Sequence, residues 1–161
     1  MKKVLFVCSG NICRSPMAEY IFDKKIKDKK IANVKGCSAG IYASDGDCIS
    51  EDAARVLKEE YGADASGFKS ARFDAKRFGD CALIIAMTRE HKTALADAFE
   101  RATKDGSDAP AKRGCQRAIY AVGEILNEGD VSDPYFLGIE AYKRAAAQIE
   151  TAIDAIIERF L

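Results

Sequence analysis

Cys8 and Arg14 stand with five residues between them in Cys8-Ser9-Gly10-Asn11-Ile12-Cys13-Arg14-Ser15, directly after the apolar run Val4-Leu5-Phe6-Val7. A thiol at the head of a short loop, an arginine at its end and Ser15-Pro16 opening a helix make an anion trap with a nucleophile at its floor. Such a loop can turn successive backbone N–H groups inward, and the helix N-terminus behind it adds the positive end of a dipole. Arg14 supplies a planar fork that grips two oxygens of a tetrahedral oxyanion at once. The same positive field favours the thiolate form of Cys8, which is the nucleophilic one. A thiolate beneath a bound phosphate is placed for in-line attack on phosphorus. Ser9, Gly10, Asn11, Ile12, Cys13 and Arg14 then form the phosphate-binding loop. Gly10 is expected to make its sharp turn, Asn11 to hold its shape by side-chain hydrogen bonds, and Ser15 to donate to the Cys8 sulfur.

Attack by Cys8 on a phosphate ester expels an alkoxide or phenolate, which needs a proton from a second group. The best candidate lies in Val131-Ser132-Asp133-Pro134-Tyr135. Pro134 stiffens the backbone beside Asp133, and Tyr135 is expected to shield the carboxyl and wall a substrate ring. Taken in isolation, the same stretch is an ordinary Asp-Pro turn, and Cys8 and Cys13 are core thiols.

The elements that must position these groups follow from hydrophobic patterning. Short apolar, partly β-branched runs at residues 4–7, 33–37, 82–87 and 118–122 predict four strands. Between them lie helical patterns. One has Ser15 as N-cap and Pro16 at the first helical position, one covers residues 51–61 and ends at Gly62, and one covers residues 89–102. A polar loop with Gly106 and Pro110 spans residues 104–114. The last helix starts near Gly138, and its stripe of Ile139, Tyr142, Ala146, Ile149, Ile153, Ile156 and Phe160 is suited to cover a sheet. Strands alternating with helices imply an α/β fold with a parallel sheet and helices on both faces. Ligands in such sheets bind at the carboxyl ends of the strands, where Cys8 falls.

The chain of 161 residues is one domain's worth, 1–161, with 48% hydrophobic residues to fill a core. Lys+Arg and Asp+Glu are 25 each, so no global basic field invites nucleic acid or an anionic membrane. No apolar run approaches a membrane span, and the run after Met1-Lys2-Lys3 is too short for a signal peptide, so a cytoplasmic location is expected. A core of this size needs no disulfide among Cys8, Cys13, Cys37, Cys48, Cys81 and Cys115. With no Cys-x-x-Cys and a single histidine, no structural metal is expected. Cys37 and Cys81 read as small core residues and His91 as a helix-surface residue.

The paired CSGNICRS and DPY segments resemble the low-molecular-weight protein tyrosine phosphatase family. Residues 4–19, VLFVCSGNICRSPMAE, match its signature almost throughout, and Ser38-Ala39-Gly40 and Ile84-Ile85-Ala86-Met87 are also similar. The resemblance implies a three-layer α/β/α sandwich, flavodoxin-like and doubly wound, with a four-stranded parallel sheet ordered 2-1-3-4. It implies Cys8 as nucleophile and Arg14 as phosphate binder. Asp133 would act first as general acid, then as the base that activates water to hydrolyse the Cys8 thiophosphate. It also implies a supporting network of Asn11, Ser15 and Ser38, and no cofactor. Cys13 matches a second loop cysteine of the family, able to trap oxidised Cys8 as a reversible disulfide. Many members add a histidine to the network shortly before an Ala-Arg pair. Here Lys69 stands before Ser70-Ala71-Arg72. Tyr42 falls where the family has a rim residue and joins Ile12 and Tyr135 as an expected substrate contact.

The implied partner is a tyrosine-phosphorylated protein, with a tyrosine kinase as counterpart, and the implied state is a monomer. Protein arginine phosphatases share the scaffold, but tend to carry threonine at position 12 and often phenylalanine at position 135. Ile12 and Tyr135 favour an aromatic ring, whereas Ala86-Met87-Thr88 with His91-Lys92 look more like the arginine branch. An arsenate reductase would need a further resolving cysteine, which the sequence does not single out. A redox or phosphate-binding module without turnover would have no use for Asp133.

Overall fold

The computed structural model describes residues 1–106 and 117–161. Cys115 and Pro110 of the predicted polar loop lie outside the described residues. The run Val4–Val7 becomes the centre of β1, Lys2–Cys8, buried because a core packs against each face of the sheet. It lies parallel to β2, Val34–Gly40, on one side and to β3, Leu83–Ala86, on the other, and β3 pairs with β4, Ala118–Ala121. The spatial order is β2-β1-β3-β4, all parallel, as the resemblance implied.

Alternation along β1 sends its side chains to two cores. Val4, Phe6 and Cys8 face one core, packed with α1 (Arg14–Asp28), α2 (Glu51–Tyr61) and α5 (Ile139–Phe160). Leu5 and Val7 face the other, beneath α3 (Arg89–Lys104) and the segment bearing Ala71, Ala75, Phe78 and Cys81. The predicted stripe of α5 is this contact: Tyr142, Ala146, Ile149, Ile153 and Ile156 are all buried. Gly62 closes α2 in the left-handed conformation at φ 64°. No described helix is long and apolar enough to cross a membrane.

Four expectations are corrected. The second strand runs on to Gly40, because Ser38, Ala39 and Gly40 continue the ladder opposite Phe6, Val7 and Cys8. The fourth strand stops at Ala121, because Val122 opens the short helix α4, Val122–Leu126, whose Glu124 side chain accepts the Ala121 N–H. Five residues are too few to show a helical period. Ser15 is not the N-cap of α1. That position is Cys13, whose carbonyl accepts the Met17 N–H at 3.1 Å. Pro16 is then the third helical residue, where a missing N–H still breaks no helical bond. Cys37 is half-buried rather than a core residue, with its sulfur 4.0 Å from that of buried Cys81.

Candidate active site

Strand β1 delivers Cys8 to the carboxyl edge of the sheet, where the next turn of chain folds back over it. The Cys8 sulfur accepts the Asn11 N–H at 3.3 Å and lies 2.9 Å from the Ser15 hydroxyl. The sharp turn is made at Asn11, φ 54°, not at Gly10. Asparagine tolerates this left-handed conformation, and here its buried side chain is fully engaged. Its amide donates to Ser15 Oγ at 2.8 Å and Ser38 Oγ at 2.9 Å, and its oxygen accepts the Ala71 N–H at 2.7 Å. Ser38 in turn donates to Glu19 at 2.6 Å. Burial pushes the Glu19 carboxyl up, against the Ser38 hydrogen bond, which pulls it down. The contacts of Ser15 with Asn11 and Cys8 explain its place: its hydroxyl belongs to their cluster and is not free to cap the helix.

The indispensable glycine is Gly40. A Cβ there would sit 2.6 Å from Ser9 O and 2.8 Å from Asn11 N, so no other residue lets β2 pass this close to the loop. Beyond it, Ile41 N–H and Tyr42 N–H donate to the carbonyls of Cys8 and Ser9 at 3.0 and 2.9 Å. The backbone of Tyr42 thus braces the loop, while the residue is 74% exposed and does not line the cavity. Lys69 is exposed, with its ammonium 3.3 Å from the Cys48 sulfur, and takes no part in the Asn11 network. The Ala71 N–H fills that role.

Arg14 is buried at the first turn of α1. One guanidinium nitrogen donates to Val131 O at 3.0 Å, and the other lies 3.4 Å from the Asp133 carboxylate. The loop and the distant DPY segment thereby meet. Cys8, Gly10, Ile12, Cys13, Arg14, Asp133 and Tyr135 line one cavity of about 190 Å³, large enough for a phosphoryl group and part of an aryl ring. The Asp133 carboxylate accepts the Tyr135 N–H at 3.2 Å and is 56% exposed. Tyr135 packs on Phe136 instead of covering it, so the expected shielding is not present. Cys13 points away from the loop centre toward Tyr142 Oη at 3.2 Å and Ser50 Oγ at 3.3 Å. Burial pushes its thiol up, partly offset by these two hydrogen bonds.

His91 is the residue that sequence reasoning placed wrongly. It is 6% exposed, and its Nε2 lies 2.8 Å from Ser9 Oγ, while Nδ1 is buried without a hydrogen-bond partner. The usable signal was Thr88, which caps α3 by accepting the His91 N–H at 3.1 Å and so fixes His91 on the first helical turn. Burial, reinforced by Arg14 and opposed by Asp130 and Asp133, drives the imidazole from 6.5 down to about 4. Between those values the unfolded chain binds the proton and the folded one does not, so stability falls as pH drops from about 6.5 to 4. The loss from this group is roughly 3 kcal/mol in all. Urea unfolding across that window should show a steeper slope for wild type than for His91→Asn. Equal slopes would remove His91 as the cause.

Residues 3–160 match the model of the family described as low molecular weight phosphotyrosine protein phosphatase. The chain belongs to this family of phosphoric monoester hydrolases. It is 31% identical over 159 residues to a protein-arginine-phosphatase of Geobacillus stearothermophilus, covering 98% of this chain and 95% of the relative. It is 30% identical over 148 residues to the low molecular weight protein-tyrosine-phosphatase PtpB of Staphylococcus haemolyticus, covering 91% of each. The crystal structure of a low molecular weight protein tyrosine phosphatase from T. tengcongensis superposes with a TM-score of 0.83 at 35% identity, covering 99% of this chain and 100% of that one.

Proposed function

We propose that this chain hydrolyses phosphotyrosine in proteins through a Cys8 thiophosphate. The observation that carries the reading is the convergence of Cys8, Arg14 and Asp133 on one cavity of about 190 Å³ whose remaining wall includes Ile12 and Tyr135. The phosphoryl oxygens bind the loop N–H groups and the Arg14 fork. The Cys8 thiolate attacks phosphorus in line as the P–O bond to tyrosine breaks, and Asp133 gives its proton to the departing oxygen. Asp133, now ionised, takes a proton from the water that attacks the thiophosphate. The Ser15 hydroxyl, 2.9 Å from the sulfur, stabilises the thiolate as it leaves. A proton donor at the cavity mouth serves hydrolysis and has no part in arsenate reduction or in anion binding alone.

The Ile12 side chain and the Tyr135 ring offer apolar surface to an aromatic leaving group, whereas a guanidinium calls for polar groups. Relatives of both specificities at near-equal identity keep arginine phosphatase activity as the second reading. The test is kcat/KM for one peptide sequence bearing phosphotyrosine or phosphoarginine. Wild type should favour phosphotyrosine by at least about tenfold, and Ile12→Thr should narrow the ratio. A wild-type preference for phosphoarginine overturns the assignment.

We further infer a cytoplasmic, monomeric, single-domain enzyme whose substrates a tyrosine kinase supplies; fractionation and sedimentation read the first two directly. Oxidation is the other expected property of the loop. Hydrogen peroxide converts the Cys8 thiolate to sulfenic acid with release of hydroxide. The Cys13 thiolate can then attack that sulfur, expelling a second hydroxide to form the disulfide. Cys13 must first leave Tyr142 and Ser50, so trapping is slow. After prolonged peroxide, activity should return with dithiothreitol in wild type but not in Cys13→Ala, whose untrapped sulfenic acid goes on to sulfinic acid; absence of a Cys8–Cys13 linked peptide from the oxidised wild type would exclude the disulfide.

A further inference from the structure

The corner where β3 meets α3 touches both halves of the site. Met87 N–H donates to Val7 O at 2.9 Å, and Met87 O accepts the Val131 N–H at 3.1 Å. Arg89 holds Asp130 through its backbone N–H at 3.1 Å and its guanidinium at 3.0 Å, and reaches Glu128 O at 3.1 Å. These bonds fix the segment that leads into Asp133. Toward the loop the same corner sends His91, whose Nε2 meets Ser9 Oγ at 2.8 Å. Ser9 is the residue after Cys8, and among the described residues its hydroxyl bonds to nothing else. A buried imidazole with an unpartnered nitrogen costs stability that an apolar ring of similar size would not. Packing alone therefore gives no reason for histidine here, whereas the bond to Ser9 does.

We infer that His91 is a positioning residue of the phosphate-binding loop: it clamps the Ser9 hydroxyl and registers the nucleophile loop against the corner that carries the Asp133 segment. The inference rests on the roles proposed above for Cys8 and Asp133. Without the clamp, Ser9 rotates, and the first N–H of the loop is no longer preorganised for the charge that develops in the transition state. Ground-state binding depends less on that precision.

The test is a double-mutant cycle of His91→Phe and Ser9→Ala, with His91→Gln as the conservative variant and unfolding midpoints measured for each. Each single change should lower kcat by about five- to twentyfold with KM within about twofold, and weaken vanadate binding in proportion to kcat. The double variant should be no worse than the poorer single one, and His91→Gln, which can place an amide near the Nε2 position, should recover most of the loss. Losses that multiply, or an unchanged kcat in His91→Phe, overturn the inference. Should His91→Phe fail to fold, the single histidine gives a second readout. Vanadate should shift the His91 imidazole nitrogen resonances in wild type and much less in Ser9→Ala, and equal or absent shifts overturn it. Turnover that survives in Cys8→Ser would instead sink the underlying assignment of the nucleophile.

Discussion

Cys8→Ser should lower turnover by at least about four orders of magnitude while the protein still binds inorganic phosphate. The two halves of this result have separate causes. Binding is carried by the loop N–H groups and by Arg14, which α1 and the Val131 carbonyl hold in place independently of the sulfur. Chemistry needs a nucleophile that is ionised near neutral pH. A thiol is the more acidic and more nucleophilic group by its own chemistry, whereas an alcohol in the same place keeps its proton. The smaller oxygen can still approach Ser15 and the Asn11 N–H, so the loop has no reason to collapse. Calorimetry should give a phosphate affinity within a few-fold of wild type, roughly 1 kcal/mol at most. Loss of binding together with turnover would mean that Cys8 holds the loop open instead of attacking phosphorus.

Asp133→Ala should lower kcat/KM, which reports the step that phosphorylates Cys8, by about 10² to 10⁴ for aryl phosphates with poor leaving groups, and by much less when the leaving group is strongly acidic. A phenolate that is stable without a proton does not need one from Asp133, so the dependence on leaving group is the signature of general-acid catalysis. The carboxylate is more than half exposed, and among the described residues its bonds are to the Tyr135 N–H and, at 3.4 Å, to Arg14. Its removal should therefore leave the unfolding midpoint nearly unchanged. An equal loss for every leaving group would point to a role in holding Arg14, not in proton transfer.

How much of this could be read from the chain alone depended on whether the cause was local. The Cys8–Arg14 loop was legible because strand, turn and helix start follow one another in sequence, and the α5 stripe because its period is its own. What failed was decided by contacts across the fold. Gly10 was the obvious turn residue, yet Asn11 takes the left-handed conformation because Ser15, Ser38 and the Ala71 N–H together satisfy its amide. Ser15 had the right type and place for a helix cap, but the thiol and Asn11 claim its hydroxyl. Glu19 joins the network only because the second turn of α1 passes the end of β2. His91 looked like a surface residue of a charged helix, and only the approach of the β3–α3 corner to Ser9 buries it.

The most direct measurement is the mass of the enzyme after acid quench during turnover of an aryl phosphate with an acidic leaving group. Asp133→Ala is the form to use, since without its base the thiophosphate should build up. The Cys8 peptide should then carry one phosphoryl group, about 80 Da, and the same treatment of Cys8→Ser should leave that peptide unmodified. A phosphoryl group on another residue, or continued turnover with none on Cys8 in a rapid quench, would contradict covalent catalysis at this loop.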